Sequence, residues 1–149
     1  MTLSEKTFYR ARITRRRDVS PDLWKIRVDP GGEFPFTVGQ FATLGVETPA
    51  KHFERAYSIV SAPFEKEVEI FIELVQDGNL TPLLYKLQAG DAITLRKAAK
   101  GLFTLDTKSG HKNHLLLCTV TGIAPFISFA RSLYEDWKEK NSPESITFI

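Results

Sequence analysis

The sequence predicts an antiparallel β-barrel over residues 1–107, followed by the opening part of an α/β domain over residues 111–149. Two observations predict the barrel: short alternating segments are separated by Gly, Pro and Asp clusters, and only one short helical pattern interrupts them. A third observation predicts the α/β part. An apolar run leads through a glycine into a long amphipathic stretch, which is the order of strand and helix in a doubly wound sheet.

Six segments of the first region have strand character. They are residues 7–17, 23–28, 40–46, 56–60, 68–75 and 91–95. Turn residues such as Asp18, Pro21 and Gly31 stand between them. The segment 68–75 is apolar apart from Glu69 and Glu73, so we expect it to be a well-buried central strand.

The helical pattern of the barrel covers residues 80–87, where leucines recur at helical spacing. Thr81 is suited to cap this helix, and Pro82 is suited to its first position. Residues 98–105 then predict an irregular apolar segment that closes the barrel.

The second region begins after a polar connection at residues 107–113. Three consecutive leucines in residues 114–119 predict a buried parallel strand, and Gly122 opens a helix that runs to about Lys140. Residues 145–149 predict the next strand. Because the chain stops inside this apolar run, we expect it to be a truncated form of a longer protein.

Composition excludes several functional classes. A net charge of +2 gives no reason to expect nucleic acid binding, and no apolar run approaches the roughly 18 residues that indicate a membrane span. Cys118 is the single cysteine, so the chain has no internal disulfide or Cys-ligated cluster; we expect Cys118 to be buried and the setting to be cytoplasmic. His111 and His114 have no companion ligands, which makes a metal site improbable.

The segment Arg55-Ala56-Tyr57-Ser58 carries the first candidate chemistry. An Arg fork suits a diphosphate, a Tyr face suits a planar ring, and a Ser hydroxyl can donate to a ring nitrogen. Strand alternation places Arg55 and Tyr57 on one face and Ser58 on the other, unless the strand bends. A half-exposed strand with an amphipathic Tyr explains these four residues as well.

Two further segments are candidates for binding phosphate. Gly78-Asn79-Leu80-Thr81 enters a helix, where free backbone N–H groups and the helix dipole favour an anion. The residues from Thr119 through Thr121 to Gly122 lie at a strand-to-helix junction, where open α/β sheets bind ligands. Simple helix capping and a routine turn are the alternatives for these two segments.

In this order and at these distances, the three segments resemble the ferredoxin–NADP⁺ reductase family, and most closely its bacterial ferredoxin/flavodoxin reductases. The resemblance implies an FAD-binding barrel followed by an NADP-binding α/β domain. By this resemblance Arg55 binds the FAD diphosphate, and Ala56 lies beside it. Tyr57 stacks on the isoalloxazine ring and Ser58 donates near flavin N5, as the residues closest to the chemistry. Gly78, Asn79, Leu80 and Thr81 complete the diphosphate site.

The resemblance also implies that Thr119 and Thr121 lie near the reacting rings and Gly122 at the nucleotide phosphates. Val120 departs from the family pattern, which often has Gly there. The implied activity is electron transfer between NADP(H) and ferredoxin or flavodoxin, with hydride transfer at flavin N5. The run from Arg15 to Arg17 is usually a solvated strand end, and docking of an acidic carrier there is the alternative.

Two other functions remain open at this point. One is the electron-transfer subunit of a larger complex, of the dihydroorotate dehydrogenase type. The other is a flavin-binding module without redox activity. The residues that choose NADP over NAD are expected beyond Ile149, so the nucleotide preference is not predicted.

Overall fold

The structure is a computed structural model that describes residues 6–105, 108–110 and 113–140. In chain order its elements are β1 (Phe8–Asp18), β2 (Leu23–Asp29), β3 (Phe41–Glu47), β4 (His52–Ser58), β5 (Val68–Glu73), α1 (Thr81–Tyr85), β6 (Ala92–Arg96) and α2 (Ala124–Lys140). One turn of 3₁₀ helix, Val120–Ile123, leads into α2.

The six strands form one antiparallel sheet in the order β4-β3-β6-β1-β2-β5. The two end strands meet just beyond β4, where Ile59 bridges Ile70 and the Val60 N–H donates to the Glu69 carbonyl at 2.8 Å. We call this short contact the seam. It closes the sheet, so the predicted antiparallel barrel is confirmed. β4 begins at His52, four residues earlier than residues 56–60 suggested.

The core fills the inside of the barrel. Alternate residues of β2 and β5, such as Trp24, Ile26, Ile70 and Ile72, are at most 2% exposed. Leu80, at the cap position before α1, and Leu84 within α1 are buried in the same core, so this segment closes one end of the barrel. Burial of one such side chain contributes about 1.5–3 kcal/mol.

Arg16 does not belong to a solvated strand end, and that part of the prediction is wrong. A β-bulge between Ile13 and Arg15 shifts the register of β1, so Arg16 lies opposite the inward-facing Ile26. The Arg16 side chain is only 7% exposed. Arg15 and Arg17 are exposed, as expected.

The Arg16 guanidinium lies 5.3 Å from the Trp24 ring centroid and 5.1 Å from that of Tyr85. It donates to the backbone carbonyls of Tyr85 and Leu87 and pairs with Asp18. These carbonyls lie at and just beyond the C-terminus of α1, so Arg16 fastens the helix to the barrel.

The predicted buried strand at residues 114–119 is wrong. The segment has no regular secondary structure, Leu115 and Leu117 are 85% and 80% exposed, and Cys118 is exposed as well. A strand needs a neighbour to satisfy its backbone groups, and within the described residues none lies beside this segment. The predicted partner strand at 145–149 and His111 lie outside the described residues.

The helix α2 packs against the barrel. It begins at Ala124, two residues after the predicted start at Gly122. Phe126 and Phe129 of α2 cluster with Phe103 of the irregular segment, with ring centroids 5.8–6.3 Å apart. Gly39 makes room for this cluster. Its φ is +90°, and a Cβ atom there would lie 1.8 Å from the Phe103 carbonyl oxygen. The division into domains at residues 107–111 stays a prediction.

Candidate functional site

A cleft of about 510 Å³ lies against the end of β4, β5 and the start of α1. Its lining residues are Arg55, Ala56, Tyr57, Ser58, Phe71, Glu73, Val75, Gly78, Asn79, Leu80, Thr81, Thr121, Gly122 and Ala124. All three segments singled out in the sequence therefore contribute to one cleft. Of the candidate residues, Thr119 alone is not part of the lining.

Arg55 supplies a positive charge at the cleft. Its side chain is exposed, and Nη1 donates at 2.8 Å to the carbonyl of Glu54. The neighbouring Glu54 carboxylate is held by Arg96 instead, whose hydrogen bond lowers the Glu54 pKa. Among the residues that the structure describes, Arg55 forms no ion pair, so its charge is available for an anionic ligand.

Tyr57 supplies a flat apolar surface. Its ring is half-buried and packs against the barrel core, with Ala42 of β3 opposite it in the sheet. Its hydroxyl group is buried without a hydrogen-bond partner in the described residues. Burial raises the pKa of Tyr57 to about 12, against the opposing effect of the Arg55 charge. Tyr57 is therefore neutral at physiological pH.

Ser58 lines the same cleft as Arg55 and Tyr57, although strict alternation places it on the other face. The reason is that β4 ends at Ser58 and the chain crosses to β5 through the seam. Residues of both faces of the strand, Ala56 and Ser58 as well as Arg55 and Tyr57, therefore contribute to the cleft.

The turn before α1 is pinned by Thr81, but not by the cap that the sequence predicted. Thr81 Oγ1 accepts a hydrogen bond from the Val75 N–H at 2.9 Å and donates to the Val75 carbonyl at 3.1 Å. Leu80 occupies the cap position without a side-chain bond, so Thr81 takes the first helical position and Pro82 the second, one residue later than predicted. The expectation of a Thr81 cap is wrong because the hydroxyl closes the preceding turn.

This turn leaves no room for a side chain at Gly78. A Cβ atom there would lie 2.9 Å from the Val75 carbonyl oxygen and 3.3 Å from Thr81 Oγ1. The turn is therefore too tight for a side chain on its inner side. Asn79, next along the chain, forms no hydrogen bond with any described residue, so its N–H and side-chain amide are free to bind a ligand. Since α1 has only five residues, its dipole adds little.

The third segment forms the opposite wall. Thr121, Gly122 and Ala124 line the cleft, and the Gly122 N–H donates to the Thr119 carbonyl at 2.8 Å. Thr119 therefore shapes this turn with its backbone. Val120 has a φ of +43°, and no other non-glycine residue in the described ranges has a positive φ. The residue that departs from the family pattern thus occupies a conformation that glycine adopts more easily.

Four lining residues were missed by the sequence analysis: Phe71, Glu73, Val75 and Ala124. Phe71 and Glu73 follow Glu69 on the outer face of β5, while Ile70 and Ile72 point into the core. An aromatic residue between two outward carboxylates was the available indication.

Two other features, a metal-binding cluster and a membrane-spanning helix, are absent from the described residues. No cluster of three or more His, Cys, Asp or Glu side chains there is arranged to hold a metal ion. No helix in the same ranges is both long and apolar enough to cross a membrane.

The closed antiparallel barrel, its single short helix and the cleft beside them define a ferredoxin reductase-like fold. The chain belongs to the oxidoreductase FAD-binding domain family, whose sequence profile matches residues 10–104.

Related proteins agree with this assignment. A flavodoxin/ferredoxin–NADP reductase of Buchnera aphidicola subsp. Baizongia pistaciae is 41% identical over 98 residues, which cover 65% of this chain and 39% of that protein. The Rhodobacter capsulatus enzyme of the same name is 34% identical over 130 residues, with 85% of this chain and 48% of that protein covered.

A crystal structure of a ferredoxin NADP⁺ reductase from Neisseria gonorrhoeae with bound FAD and NADP superposes with a TM-score of 0.75. It is 34% identical, and the match covers 83% of this chain and 50% of that chain. The chain thus spans half or less of the length of these three relatives.

Proposed function

We propose that this chain binds FAD in the cleft and that the whole protein transfers electrons between NADP(H) and ferredoxin or flavodoxin. The observation that carries the proposal is that three distant segments, around Tyr57, Gly78 and Gly122, line one cleft. The names of the reductase relatives supply the donor and the acceptor in this proposal.

The anionic part of FAD is assigned to the part of the cleft lined by Arg55, Gly78 and Asn79. Arg55 offers a guanidinium without a carboxylate partner in the described residues, and Asn79 offers donors without acceptors there. The tight turn at Gly78 leaves its backbone open to close approach. Two fixed sets of donors suit a diphosphate, which carries charge on both of its phosphates.

The isoalloxazine ring of FAD is assigned to the part of the cleft lined by Tyr57, Ser58 and Phe71. Tyr57 and Phe71 offer apolar surface, and Ser58 offers a hydroxyl group at the edge of that surface. When bound, FAD supplies the chemistry, because it accepts hydride from a nicotinamide and releases electrons singly. The contribution of the chain is position: Tyr57 supports the ring, Ser58 donates at its edge, and Thr121 with Gly122 limits access from the opposite wall.

A docking surface for the electron carrier is proposed at Arg15 and Arg17. They lie opposite Arg27 and Lys25, respectively, on the outer face of the barrel. Lys25 pairs with Glu69, and Arg27 pairs with Glu65 and Glu69. In contrast, Arg15 and Arg17 form no ion pair in the described residues. Arg17, Lys25 and Phe71 lie in one row across the sheet, so the two unpaired arginines are one strand removed from the cleft-lining strand and attract an acidic carrier by long-range electrostatics.

Titration of the apo chain with FAD tests the binding proposal. We expect tight binding to the wild-type chain, seen as quenched flavin fluorescence and a shifted visible spectrum. Arg55→Met should weaken the affinity by about 10- to 100-fold, since a hydrogen bond to a charged group contributes about 1.5–3 kcal/mol.

Arg10→Met is the matched control, because Arg10 is exposed on β1 and does not line the cleft. Equal affinity of the Arg55→Met and Arg10→Met variants would refute the assignment of Arg55. Absence of FAD binding by the wild-type chain would refute the proposed function. Anaerobic addition of NADPH or NADH to the whole protein then shows whether the flavin is reduced.

The docking surface is tested by the ionic-strength dependence of electron transfer in the whole protein. Arg17→Glu should slow reduction of an acidic carrier at low salt and flatten the salt dependence, because the attractive charge is reversed. Lys6→Glu reverses an exposed charge near the opposite end of β1 and serves as the control. The same salt dependence in both variants would contradict docking at Arg17.

A further inference from the structure

The helix α2 is joined to the barrel by two polar contacts on one helix face. Ser128 Oγ donates to the Ser61 carbonyl at 2.7 Å, and both residues are fully buried. One turn later, Arg131 Nη1 donates to Glu65 Oε1 at 3.1 Å and to Glu69 Oε2 at 3.0 Å. The helix is thus held at two successive points on its barrel-facing side.

Glu69 is the centre of the second contact. Its side chain is 2% exposed, and it receives Lys25 and Arg27 from β2 as well as Arg131 from α2. Burial by itself would raise the pKa of Glu69, but the hydrogen bonds from Lys25 and Arg131 outweigh it, so the pKa is lowered. A buried carboxylate with cations from two elements resists separation of those elements.

This contact lies directly beside the cleft. Glu69 and Phe71 are neighbours on the outer face of β5, and Phe71 lines the cleft. Ala124 begins α2 and lines the opposite wall with Thr121 and Gly122. Because α2 is a continuous helix, a fixed Arg131 also fixes the first turn of α2 and the wall that precedes it.

We propose that Arg131 is a positioning residue for the FAD site: through Glu65 and Glu69 it sets the width of the cleft between Phe71 and the wall formed by Thr121 and Gly122. The inference rests on the proposed function, since it concerns the affinity of that same cleft for FAD. Arg131 itself does not line the cleft.

Arg131→Met removes the guanidinium while keeping most of the side-chain volume. We expect faster hydrogen exchange at the first-turn amides of α2 in the apo chain, measured without any cofactor. We also expect the dissociation constant for FAD to rise about tenfold in the folded protein, because the wall formed by Thr121 and Gly122 is no longer held at a fixed distance from Phe71. Arg131→Lys keeps a cation there and should restore both properties in large part.

Lys138→Met is the matched control, because Lys138 contacts Glu135 and the Tyr134 ring of the same helix and none of the barrel residues that the structure describes. A lower melting temperature of Arg131→Met with unchanged FAD affinity would mean a merely structural role and would overturn the inference. If Arg131→Met does not fold, Arg131→Lys decides: wild-type affinity with wild-type exchange supports positioning by charge, and wild-type affinity with fast exchange overturns it. Failure of the wild-type chain to bind FAD contradicts the proposed function, whereas the exchange result stands apart from it.

Discussion

At the scale of single residues, Tyr57 combines an apolar environment with a hydroxyl group that has no partner in the described residues. Its pKa is raised by burial from 10.0 to about 12. The folded state therefore keeps a proton that the unfolded state loses. The resulting stability is complete below pH 10.0 and is lost as the pH rises toward about 12.

Tyr57→Phe should remove this pH dependence, because phenylalanine does not ionise. Urea unfolding of the apo chain at several pH values should show that the wild type loses free energy of unfolding between pH 10.0 and about 12 relative to the variant. At neutral pH the variant should be equally stable or about 1 kcal/mol more stable, because an unsatisfied hydroxyl is removed. A constant difference across this pH range would contradict the raised pKa.

Val120 has a backbone conformation that is unfavourable for its side chain, with a φ of +43°. A left-handed conformation is unfavourable for a β-branched residue by about 1–3 kcal/mol, whereas glycine adopts it freely at an entropy cost of about 0.5–1 kcal/mol. Val120→Gly should therefore stabilise the turn by about 1 kcal/mol, measured by hydrogen exchange of the Gly122 amide, which bonds to Thr119. Val19→Gly, at an exposed position without a positive φ, should destabilise.

At the scale of secondary-structure elements, Arg16 joins β1 to α1. Arg16→Met loses two bonds to the helix carbonyls, the pair with Asp18 and the ring contacts with Trp24 and Tyr85. We expect a loss of about 2–3 kcal/mol in the free energy of unfolding. Arg17→Met, one residue along the same strand, should change it by less than about 0.5 kcal/mol. Equal effects would contradict the asymmetry that the bulge creates.

The bulge also shows what the sequence did not reveal. Alternation along β1 predicts that the Arg16 side chain lies on the opposite face from those of Arg15 and Arg17. It does not say which of the two faces points into the barrel. An extra residue after Ile13 reverses the assignment for the rest of the strand. In contrast, the strand around Trp24 could be predicted because its buried apolar residues alternate with polar ones, and the strand around Ile70 because it is an apolar run broken only by Glu69 and Glu73.

The candidate site was predictable to a similar degree. Arg55 to Ser58 and Gly78 to Thr81 were found because their residue types suit a ligand and because their order along the chain resembles that of a known family; taken singly, each segment had an equally good structural explanation. Phe71 was missed because its role depends on which elements pack beside β5. The strand at residues 114–119 was predicted wrongly, since three leucines reveal a preference for burial but not the presence of a neighbour.

At the scale of the whole molecule, Glu69 links the barrel to α2. The free energy of unfolding of the protein therefore depends on the ionisation of Glu69 in acid. The pKa of Glu69 is lowered from 4.5, so the stabilisation is present above pH 4.5 and is lost as the pH falls through the lower, folded-state pKa. Glu69→Gln should cost about 3 kcal/mol at pH 7, measured by denaturant unfolding, because it leaves cations without their buried partner.

The difference between wild type and Glu69→Gln should shrink below pH 4.5. Glu73→Gln, at an exposed position on the same strand, should have little effect at any pH. A difference that does not change between pH 7 and strongly acidic solution would show that Glu69 acts by shape alone.

The seam between Ile59 and Ile70 has a consequence for how a ligand changes the dynamics of the barrel. Within the described residues, the Ile59–Ile70 bridge, the bond from the Val60 N–H to the Glu69 carbonyl and the bond from the Glu69 N–H to Ser61 Oγ join the two end strands, which is fewer contacts than join β1 and β2. A molecule that contacts both Ser58 of β4 and Phe71 of β5 adds a further link between the two end strands, next to the seam. Binding of such a molecule should slow amide hydrogen exchange at Val60 far more than at the amides between β1 and β2.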